Sequence, residues 1–456
     1  MIMFRKAAGM GLLTAIFLAG CSQPGVKGPA GSPSQSNPGT KKAAVSSAVP
    51  DRFSDAHVHL IDFLQNGAFD NADGFFKGIG SRGEIKGSKA VRYLALPFGE
   101  QWRRLSLLFR DMAASGVDHA MVSGMPFLKK WSENEPFARP RYYLDSSSRV
   151  VRARDTDYLI GAAFLEYRRK FSGDAGALAR LDSLSPFICG FDGTDLGAVD
   201  LVVKRIKEFP GVWKGIGEVM SRHDDLTNLT IGDRPRGNHP ALKRLCRFAG
   251  EVNLPVSIHH NIAPVSRSSS EVKEPVYLDE LVDLFAYCPD TKFIWCHAGI
   301  SRRVVVGNLP HWLDAVLDQF GERVYIDLSW VVFEDYILKD LDAWAELVRS
   351  HPGNFMLGSD VVGSSANLGK ELRRYKPFLE KISTDPEDPA RRNLARDNFS
   401  RLDSALGQKR RARMVAQKLI PGSSRATGLV LPHDYDFPEN AHTGALKDSF
   451  IRKHRP

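Results

Sequence analysis

From Arg52 onward, short apolar runs alternate with segments whose apolar residues recur at helical spacing. Runs of four to eight apolar-rich residues favour buried strands, and the longer periodic segments favour amphipathic helices. The strands are predicted at 53–59, 117–124, 186–191, 213–219, 254–260, 292–299, 324–330 and 354–360. The helices are predicted at 100–115, 199–208, 240–252, 277–287, 311–320, 336–350, 369–382 and 388–402.

This alternation predicts an α/β fold, specifically a (β/α)8 TIM barrel over residues 52–402. An insertion after strand one, residues 61–100, is rich in Gly and Phe and is predicted to overhang the barrel mouth as a lid. A doubly wound open sheet is the alternative fold. It usually carries a Gly-rich phosphate-binding turn after its first strand, and no such turn follows the first strand here.

Polar, metal-capable side chains stand where several predicted strands end. In FSDAHVH, residues Asp55, His57 and His59 share one face, because side chains alternate along a strand. The carboxyl ends of barrel strands meet on one face, where active sites gather. The pattern therefore predicts a divalent metal site. Its predicted ligands are His57, His59, Glu218, His259, His297 and Asp360.

The order of these motifs resembles the amidohydrolase superfamily: HxH on strand one, an acid on strand four, His on strands five and six, and Asp on strand eight. The resemblance covers residues 52–402 and includes DAHVH, IHHN, CHAG and GSD, with NFSRL at 398–402. It implies that His57 and His59 bind the more buried metal with Asp360. It also implies that Glu218 bridges to a second metal, which is bound by His259 and His297.

By this resemblance the protein is a hydrolase that directs a metal-activated water at an ester, lactone, amide or phosphoester. Asp360 would orient the water and pass its proton to the leaving group. No Lys ends strand four, so Glu218 would replace a carbamylated lysine as the bridge. Zinc is the expected metal, one or two ions per chain, with manganese and iron as alternatives.

Two other interpretations stay open. In the first, a single metal is held by His57, His59, His259 and Asp360, and His297 is a catalytic acid. That arrangement corresponds to a nonoxidative decarboxylase or hydratase of the same superfamily. In the second, the chain is a catalytically silent lipoprotein that kept the fold for binding.

Several residues near the predicted ligands are candidates for binding a small-molecule substrate. Alternation from Ser257 places His259 toward the metal, which leaves His260 packed or facing the substrate. Arg302 and Arg303 follow CHAGIS and could clamp an anionic group. Trp330, after strand seven, is predicted to line the pocket or to pack in the core.

The N-terminus predicts export and lipid anchoring. Two basic residues precede an apolar run, 7–18, that is too short to span a bilayer. The tetrad that ends in Cys21 resembles the bacterial lipobox, which implies lipidation of that cysteine. Ser22 then implies the outer membrane, facing the periplasm. The predicted domains are a signal peptide at 1–20, the lipidated Cys and a flexible linker at 21–51, the barrel at 52–402, and a basic tail at 403–456.

Composition changes this picture little. Hydrophobic residues make up 43% of the chain and charged residues 25%, as in ordinary globular proteins. The net charge of +9 comes largely from the tail, and no nucleic-acid-binding motif is present. The membrane contact is therefore expected through the N-terminal lipid, and the sequence indicates no oligomeric state. Four widely spaced cysteines besides Cys21 are predicted to be buried free thiols.

Overall fold

The computed structural model describes residues 51–61, 99–124, 129–130, 141–142, 155–223, 235–421 and 449–455. The predicted signal peptide, Cys21, nearly all of the linker and most of the predicted lid lie outside the described residues. Within the described ranges, no helix has both the length and the apolar character that crossing a bilayer requires.

Nine parallel strands form the central sheet. They are β1 (Phe53–His59), β2 (Val117–Ser123), β3 (Leu184–Ile188), β4 (Gly215–Met220), β5 (Val256–His259), β6 (Phe293–Trp295), β7 (Val324–Asp327), β8 (Phe355–Met356) and β9 (Val361–Val362). Their order in the sheet is β8-β7-β6-β5-β4-β3-β2-β1-β9. A separate two-residue antiparallel ladder joins Lys129–Lys130 to Arg141–Tyr142. All eight strands predicted from the sequence are present.

The last two short strands close the sheet into a barrel. β8 pairs with β7, and β9, a few residues later, pairs with β1. Between them the Ala56 amide donates to the Leu357 carbonyl, and the Asp360 amide donates to the His57 carbonyl, both at 2.9 Å. One chain segment therefore bridges the two edges of the sheet, and the fold is the predicted α/β TIM barrel.

Helices follow the strands along the chain. They are α1 (Trp102–Ser115), α2 (Asp155–Lys170), α3 (Ala175–Asp182), α4 (Ala198–Glu208), α5 (Pro240–Glu251), α6 (Leu278–Tyr287), α7 (Leu309–Phe320), α8 (Val332–Asp335), α9 (Leu341–Ser350), α10 (Leu368–Arg373), α11 (Lys376–Ile382), α12 (Pro389–Arg392), α13 (Asn398–Ala416) and α14 (Phe450–Lys453). The sequence analysis did not predict α2 and α3, which connect β2 to β3. α13 continues past Leu402, where the barrel was predicted to end.

Two apolar clusters form the core. The larger one lies between the sheet and the helices. The smaller one joins side chains of strands on different sides of the barrel, so it fills the interior. Phe399 and Leu402 of α13 complete this interior cluster. It therefore closes the barrel below the carboxyl ends of the strands, as the filled interior of such barrels requires. Its strand residues are Ala56, Met121, Phe187, Ile294 and Met356.

Strict alternation fails on two strands. The pairing register of β1 shifts between Asp55 and Val58, and Ala56 packs in the interior cluster although it was predicted to point away from the histidines. On the sixth strand, Trp295 packs in the outer cluster, and His297 follows in a 3-10 turn with φ 54°. Side-chain alternation over the predicted strand 292–299 would put Trp295 and His297 on one face, but the strand ends at Trp295 and the two side chains do not share a face.

Candidate metal centre

The structure brings all six predicted ligands together at the carboxyl ends of the strands. His57 and His59 lie on β1, Glu218 on β4, and His259 ends β5. His297 follows β6, and Asp360 lies between β8 and β9. Five of them are buried, and the Asp360 side chain is 14% exposed. Asp360 is thus the member of the group that is most open to solvent.

Four ligand atoms surround one point. The Nε2 atoms of His57 and His59 are 3.1 Å apart. Glu218 Oε2 lies 3.7 Å and 3.4 Å from these two nitrogens, and Asp360 Oδ1 lies 3.7 Å and 3.5 Å from them. Ligands held at about 2.1 Å from one ion stand roughly 3.0–3.4 Å from each other. We call these four residues the first ligand set, and their spacing fits a divalent metal.

Hydrogen bonds on the far side of each ring determine which nitrogen is free. His57 Nδ1 lies 2.8 Å from Asp327 Oδ2, and His59 Nδ1 lies 2.7 Å from the Gly124 carbonyl. A carboxylate and a carbonyl only accept, so both Nδ1 atoms donate. The two Nε2 atoms therefore face each other, and either a proton on one of them or a cation must lie between them. Metal-binding histidines are oriented in this way.

Glu218 also faces a second group of ligands. Its Oε1 atom lies 2.9 Å from His259 Nδ1 and 3.5 Å from His297 Nε2. The Nε2 atom of His259 lies 3.2 Å from Asn261 Oδ1, so Nε2 donates and Nδ1 presents a lone pair to the carboxylate. A proton on Nδ1 or a cation must separate these two acceptors. Glu218 Oε1, His259 and His297 are called the second ligand set.

Asp327 was not predicted from the sequence. It ends β7 and connects two of the histidines, His57 directly and His297 through Ser329. Its Oδ2 atom accepts from His57 and, at 2.6 Å, from the Ser329 hydroxyl. Because that hydroxyl has given its hydrogen to Asp327, it accepts from His297 Nδ1 at 2.9 Å. His297 Nε2 is therefore also directed toward Glu218 as a lone pair or as an acidic N–H. An acidic residue at the end of a predicted strand, YID, was the signal that could have identified it.

The electrostatics of the centre suit a cation. Burial raises the pKa of Glu218, but the charge of His57 and hydrogen bonds from His259 and His297 outweigh burial and hold that pKa well below its usual value. Burial also raises the pKa of Asp327, yet its hydrogen bond with His57 and the charge of that ring keep it below the usual value. Both carboxylates are therefore ionised within a water-poor site, where a positive charge is attracted strongly.

Unusual backbone conformations occur at this rim. His297, Ala298, Trp330 and Asp360 have φ values of 54°, 50°, 61° and 50°. Residues other than glycine rarely adopt such values, and these outliers concentrate at functional sites. The barrel thus turns its chain sharply after the sixth, seventh and eighth strands, and these turns set the positions of the site residues.

Aromatic and cationic groups line the mouth above the ligands. The Trp330 ring lies 5.1 Å from that of His297, and the exposed Arg302 has its guanidinium 5.1 Å from the Trp330 ring. His223, which was not predicted as a site residue, is buried with its ring 4.6 Å from that of His259. The predicted substrate contacts Trp330 and Arg302 are therefore next to the ligands, together with His223.

The two remaining candidates lie elsewhere. His260 is fully buried, its Nε2 donates to the Tyr277 carbonyl at 2.9 Å, and its Nδ1 lies 2.8 Å from the Ser221 hydroxyl. Burial lowers the pKa of His260 to about 4, so the ring is neutral and packed between elements. Arg303 is exposed, and its backbone carbonyl accepts from the Ser266 amide. The structure does not bring either side chain into the ligand sets.

Buried imidazole and carboxylate side chains gathered at the carboxyl ends of a (β/α)8 barrel are typical of metal-dependent barrel enzymes. The family model described as "Amidohydrolase" matches residues 226–402, a range that includes His259, His297 and Asp360. The match confirms the amidohydrolase resemblance over that part of the chain. Comparison with curated protein sequences finds no match.

Solved structures with detectable similarity include three proteins. A TIM-barrel protein from Bordetella bronchiseptica, described as uncharacterised, is 12% identical, with 78% of this chain and 99% of that chain covered and a TM-score of 0.41. A 4-oxalomesaconate hydratase from Rhodopseudomonas palustris is 15% identical, with 80% and 98% covered and a TM-score of 0.44. A 5-carboxyvanillate decarboxylase from Sphingomonas paucimobilis is 14% identical, with 78% and 99% covered and a TM-score of 0.41.

Proposed function

We propose that this protein is an enzyme that uses a divalent metal ion to transform a small organic molecule at the mouth of the barrel. One observation carries the proposal: the Nε2 atoms of His57 and His59 face each other across 3.1 Å, because both rings donate outward through Nδ1. Glu218 and Asp360 complete the set with negative charge. A divalent ion bound there would polarise a substrate oxygen and acidify a water molecule.

The first candidate reaction is nonoxidative decarboxylation or hydration with one ion. Glu218 Oε1 and His259 Nδ1 are 2.9 Å apart, the length of a charged hydrogen bond, so a protonated His259 satisfies this pair without a second ion. The single ion would then be held by the first ligand set, with Glu218 in place of the predicted ligand His259. His297 is then free to act, since Ser329 holds its Nδ1 and leaves Nε2 to give or take a proton. Both lyase reactions require such a group beside the substrate.

The second candidate reaction is hydrolysis of an ester, lactone, amide or phosphoester with two ions. The observation that favours it is that the two carboxylate oxygens of Glu218 face different ligand sets. Oε2 faces the first ligand set, and Oε1 faces His259 and His297. A carboxylate that presents one oxygen to each of two ligand sets is suited to bridging two cations. Asp360, at the more open side of the first set, would accept a proton from the attacking water.

Metal stoichiometry separates these candidates. The chain, purified without chelators, would be analysed for zinc, manganese and iron beside His57→Ala, Glu218→Gln and His259→Ala variants. One ion that persists in His259→Ala and is lost in His57→Ala supports the lyase. Two ions that fall to one in His259→Ala support the hydrolase, and the absence of metal in the parent would refute both and leave a binding lipoprotein.

Zinc is the metal that we propose, because the two ligand sets combine imidazole nitrogens with carboxylate oxygens. A site with several carboxylate oxygens also accepts manganese or iron, so the elemental analysis tests the choice directly. The activity regained on adding each ion to metal-free protein ranks the three metals. Highest recovery with manganese or iron would contradict the choice of zinc.

For the substrate we propose a small molecule that carries an anionic group near its reactive centre. Arg302 is an exposed cation above Trp330, and the Trp330 ring contacts that of His297. An anion held by Arg302 would therefore lie beside the proposed catalytic groups. Panels of carboxylates and their esters or lactones, screened with the metal-loaded chain and with Arg302→Ala, test this. Equal KM values for both proteins on an anionic substrate would contradict it.

We also propose that the protein is anchored in the bacterial outer membrane by lipid on Cys21, facing the periplasm. The proposal depends on the basic residues, the short apolar run and the lipobox-like tetrad before that cysteine. Metabolic labelling with a radioactive fatty acid should mark the parent and not Cys21→Ala. A variant that is labelled as strongly as the parent would contradict it.

A further inference from the structure

Two buried thiols lie close together where neighbouring helices pack. Cys246 lies in α5, and Cys288 follows the last residue of α6. Their exposures are 0% and 1%. Cys288 Sγ lies 3.6 Å from the carbonyl oxygen of Lys243, almost one helical turn before Cys246. Because helical side chains lean toward the N-terminus, the Cys246 thiol lies over that turn. The two thiols therefore lie at the same turn of α5.

Thr291 fixes the backbones of both cysteines in this arrangement. Its hydroxyl donates to the Cys246 carbonyl at 2.6 Å, and its amide donates to the Cys288 carbonyl at 3.2 Å. One residue therefore holds the end of α6 against α5. The close approach of the two thiols is a fixed feature of the packing between these helices.

The other thiols in the described part of the chain have different neighbours. Cys189 Sγ lies 3.8 Å from Asp157 Oδ1 at the end of β3. Cys296 Sγ lies 3.0 Å from the Ser257 hydroxyl, under the ligand sets. Among the described cysteines, Cys246 and Cys288 are the pair that contacts with Lys243 and Thr291 place at one turn of α5.

We propose that Cys246 and Cys288 form a disulfide when the chain folds in the presence of a disulfide oxidant, either a small molecule such as oxidised glutathione or a protein. The two thiols lose two protons and two electrons, which convert the sulfur–sulfur bond of the oxidant into two thiols. The periplasm, where we propose that the protein resides, favours such bonds. The inference does not depend on the proposed enzymatic function.

The bond must form before the helices are fully packed. Burial and the hydrogen bond with Cys288 raise the pKa of Cys246, and the thiolate is the form that reacts. In the folded protein the oxidant reaches neither sulfur. Oxidation during folding should therefore be efficient, and oxidation of the folded, reduced protein should be slow.

The disulfide would stabilise the region that carries the second ligand set. The two cysteines are 42 residues apart in the chain, and the enclosed segment contains β5 with His259. Closing a loop of this length restricts the unfolded chain. For a domain of this size, we expect a melting temperature that is higher by roughly 3–8 °C.

The test refolds the full chain in oxidised and in reduced glutathione. Each sample is digested without reductant and analysed by mass spectrometry, and its melting temperature is measured. We expect a linked peptide that contains both cysteines in the oxidised sample alone, with the higher melting temperature. A well-folded oxidised sample without this linked peptide would overturn the proposal.

Variants separate the disulfide from other effects of the oxidant. In Cys288→Ser and Cys246→Ser, the oxidant should no longer raise the melting temperature. Cys189→Ser is the matched control, because it removes a buried thiol outside the pair and should keep both the linked peptide and the shift. A shift that persists in Cys288→Ser or Cys246→Ser would refute the proposal. If neither serine variant folds, the presence or absence of the linked peptide in the oxidised parent decides whether the disulfide forms.

Discussion

Substitution of Asp327 by asparagine should weaken metal binding although Asp327 is not a ligand. Its two oxygens accept three hydrogen bonds: Oδ2 from His57 Nδ1 at 2.8 Å and the Ser329 hydroxyl at 2.6 Å, and Oδ1 from the Ser329 amide at 2.8 Å. Asparagine has one acceptor oxygen and one NH2 group. In either orientation, its NH2 group faces at least one of these donors.

The expected loss follows from the tautomer of His57. If the NH2 group faces His57, the ring must carry its proton on Nε2, and the lone pair that binds the metal is lost. Removing a group that orients a metal-binding histidine typically lowers metal affinity 10- to 100-fold. We therefore expect Asp327→Asn to bind zinc about 10- to 100-fold more weakly, which corresponds to roughly 1.4–2.7 kcal/mol.

The assay is a competition titration of metal-free protein with a chromophoric zinc chelator. Long-range nitrogen–proton NMR spectra of the 15N-labelled protein identify the tautomer of His57, because protonated and unprotonated ring nitrogens have distinct chemical shifts. Asp314→Asn is the matched control, because Asp314 accepts from His351 at 2.7 Å far from either ligand set. Parent-like zinc affinity in Asp327→Asn, or an equal loss in Asp314→Asn, would refute the reasoning.

Two further predictions concern stability. His260 has its pKa lowered to about 4 by burial, against 6.5 for an ordinary histidine, so the unfolded chain binds a proton that the folded chain does not. The free energy of unfolding should therefore fall between pH 6.5 and pH 4, by up to about 3 kcal/mol from this residue. Urea unfolding at pH 7 and pH 5 should show a smaller decrease in His260→Asn, and an identical decrease would contradict the assignment. Gly217 has φ 127°, and a Cβ atom there would lie 2.2 Å from the Ser257 carbonyl oxygen. Gly217→Ala should lower the free energy of unfolding by at least about 3 kcal/mol or prevent folding, whereas Gly211→Ala, at φ 76° in open space, should cost only about 1 kcal/mol. Equal urea midpoints for the two alanine variants would contradict the role of the close approach.

The sequence predicted the barrel and the group of polar side chains at its rim because both depend on short-range patterns. A buried strand needs a run of apolar residues, and a polar residue that ends such a run is conspicuous. The candidate ligands His57, His59, Glu218, His259 and Asp360 were selected in this way, and the structure brings them together. His297 joins the same group, although its backbone turn lies beyond the end of the strand.

The missed features depend on contacts between distant parts of the chain. Asp327 acts through His57, which lies 270 residues away in sequence. The position of His223 beside His259 depends on the path of the loop after β4, which no local pattern specifies. α2 and α3 belong to a long connection whose preceding segment carries no regular apolar period. The turn at His297 uses a left-handed backbone that side-chain alternation does not anticipate.

The plug formed by Phe399 and Leu402 has a consequence for turnover. These residues complete the interior cluster on the side opposite the mouth, so the part of the barrel that the structure describes has a filled lumen there and no second exit. The product must therefore leave through the barrel mouth, by which the next substrate molecule also enters. Product and substrate then exclude each other, and we expect the product to inhibit competitively, raising the apparent KM while kcat stays constant.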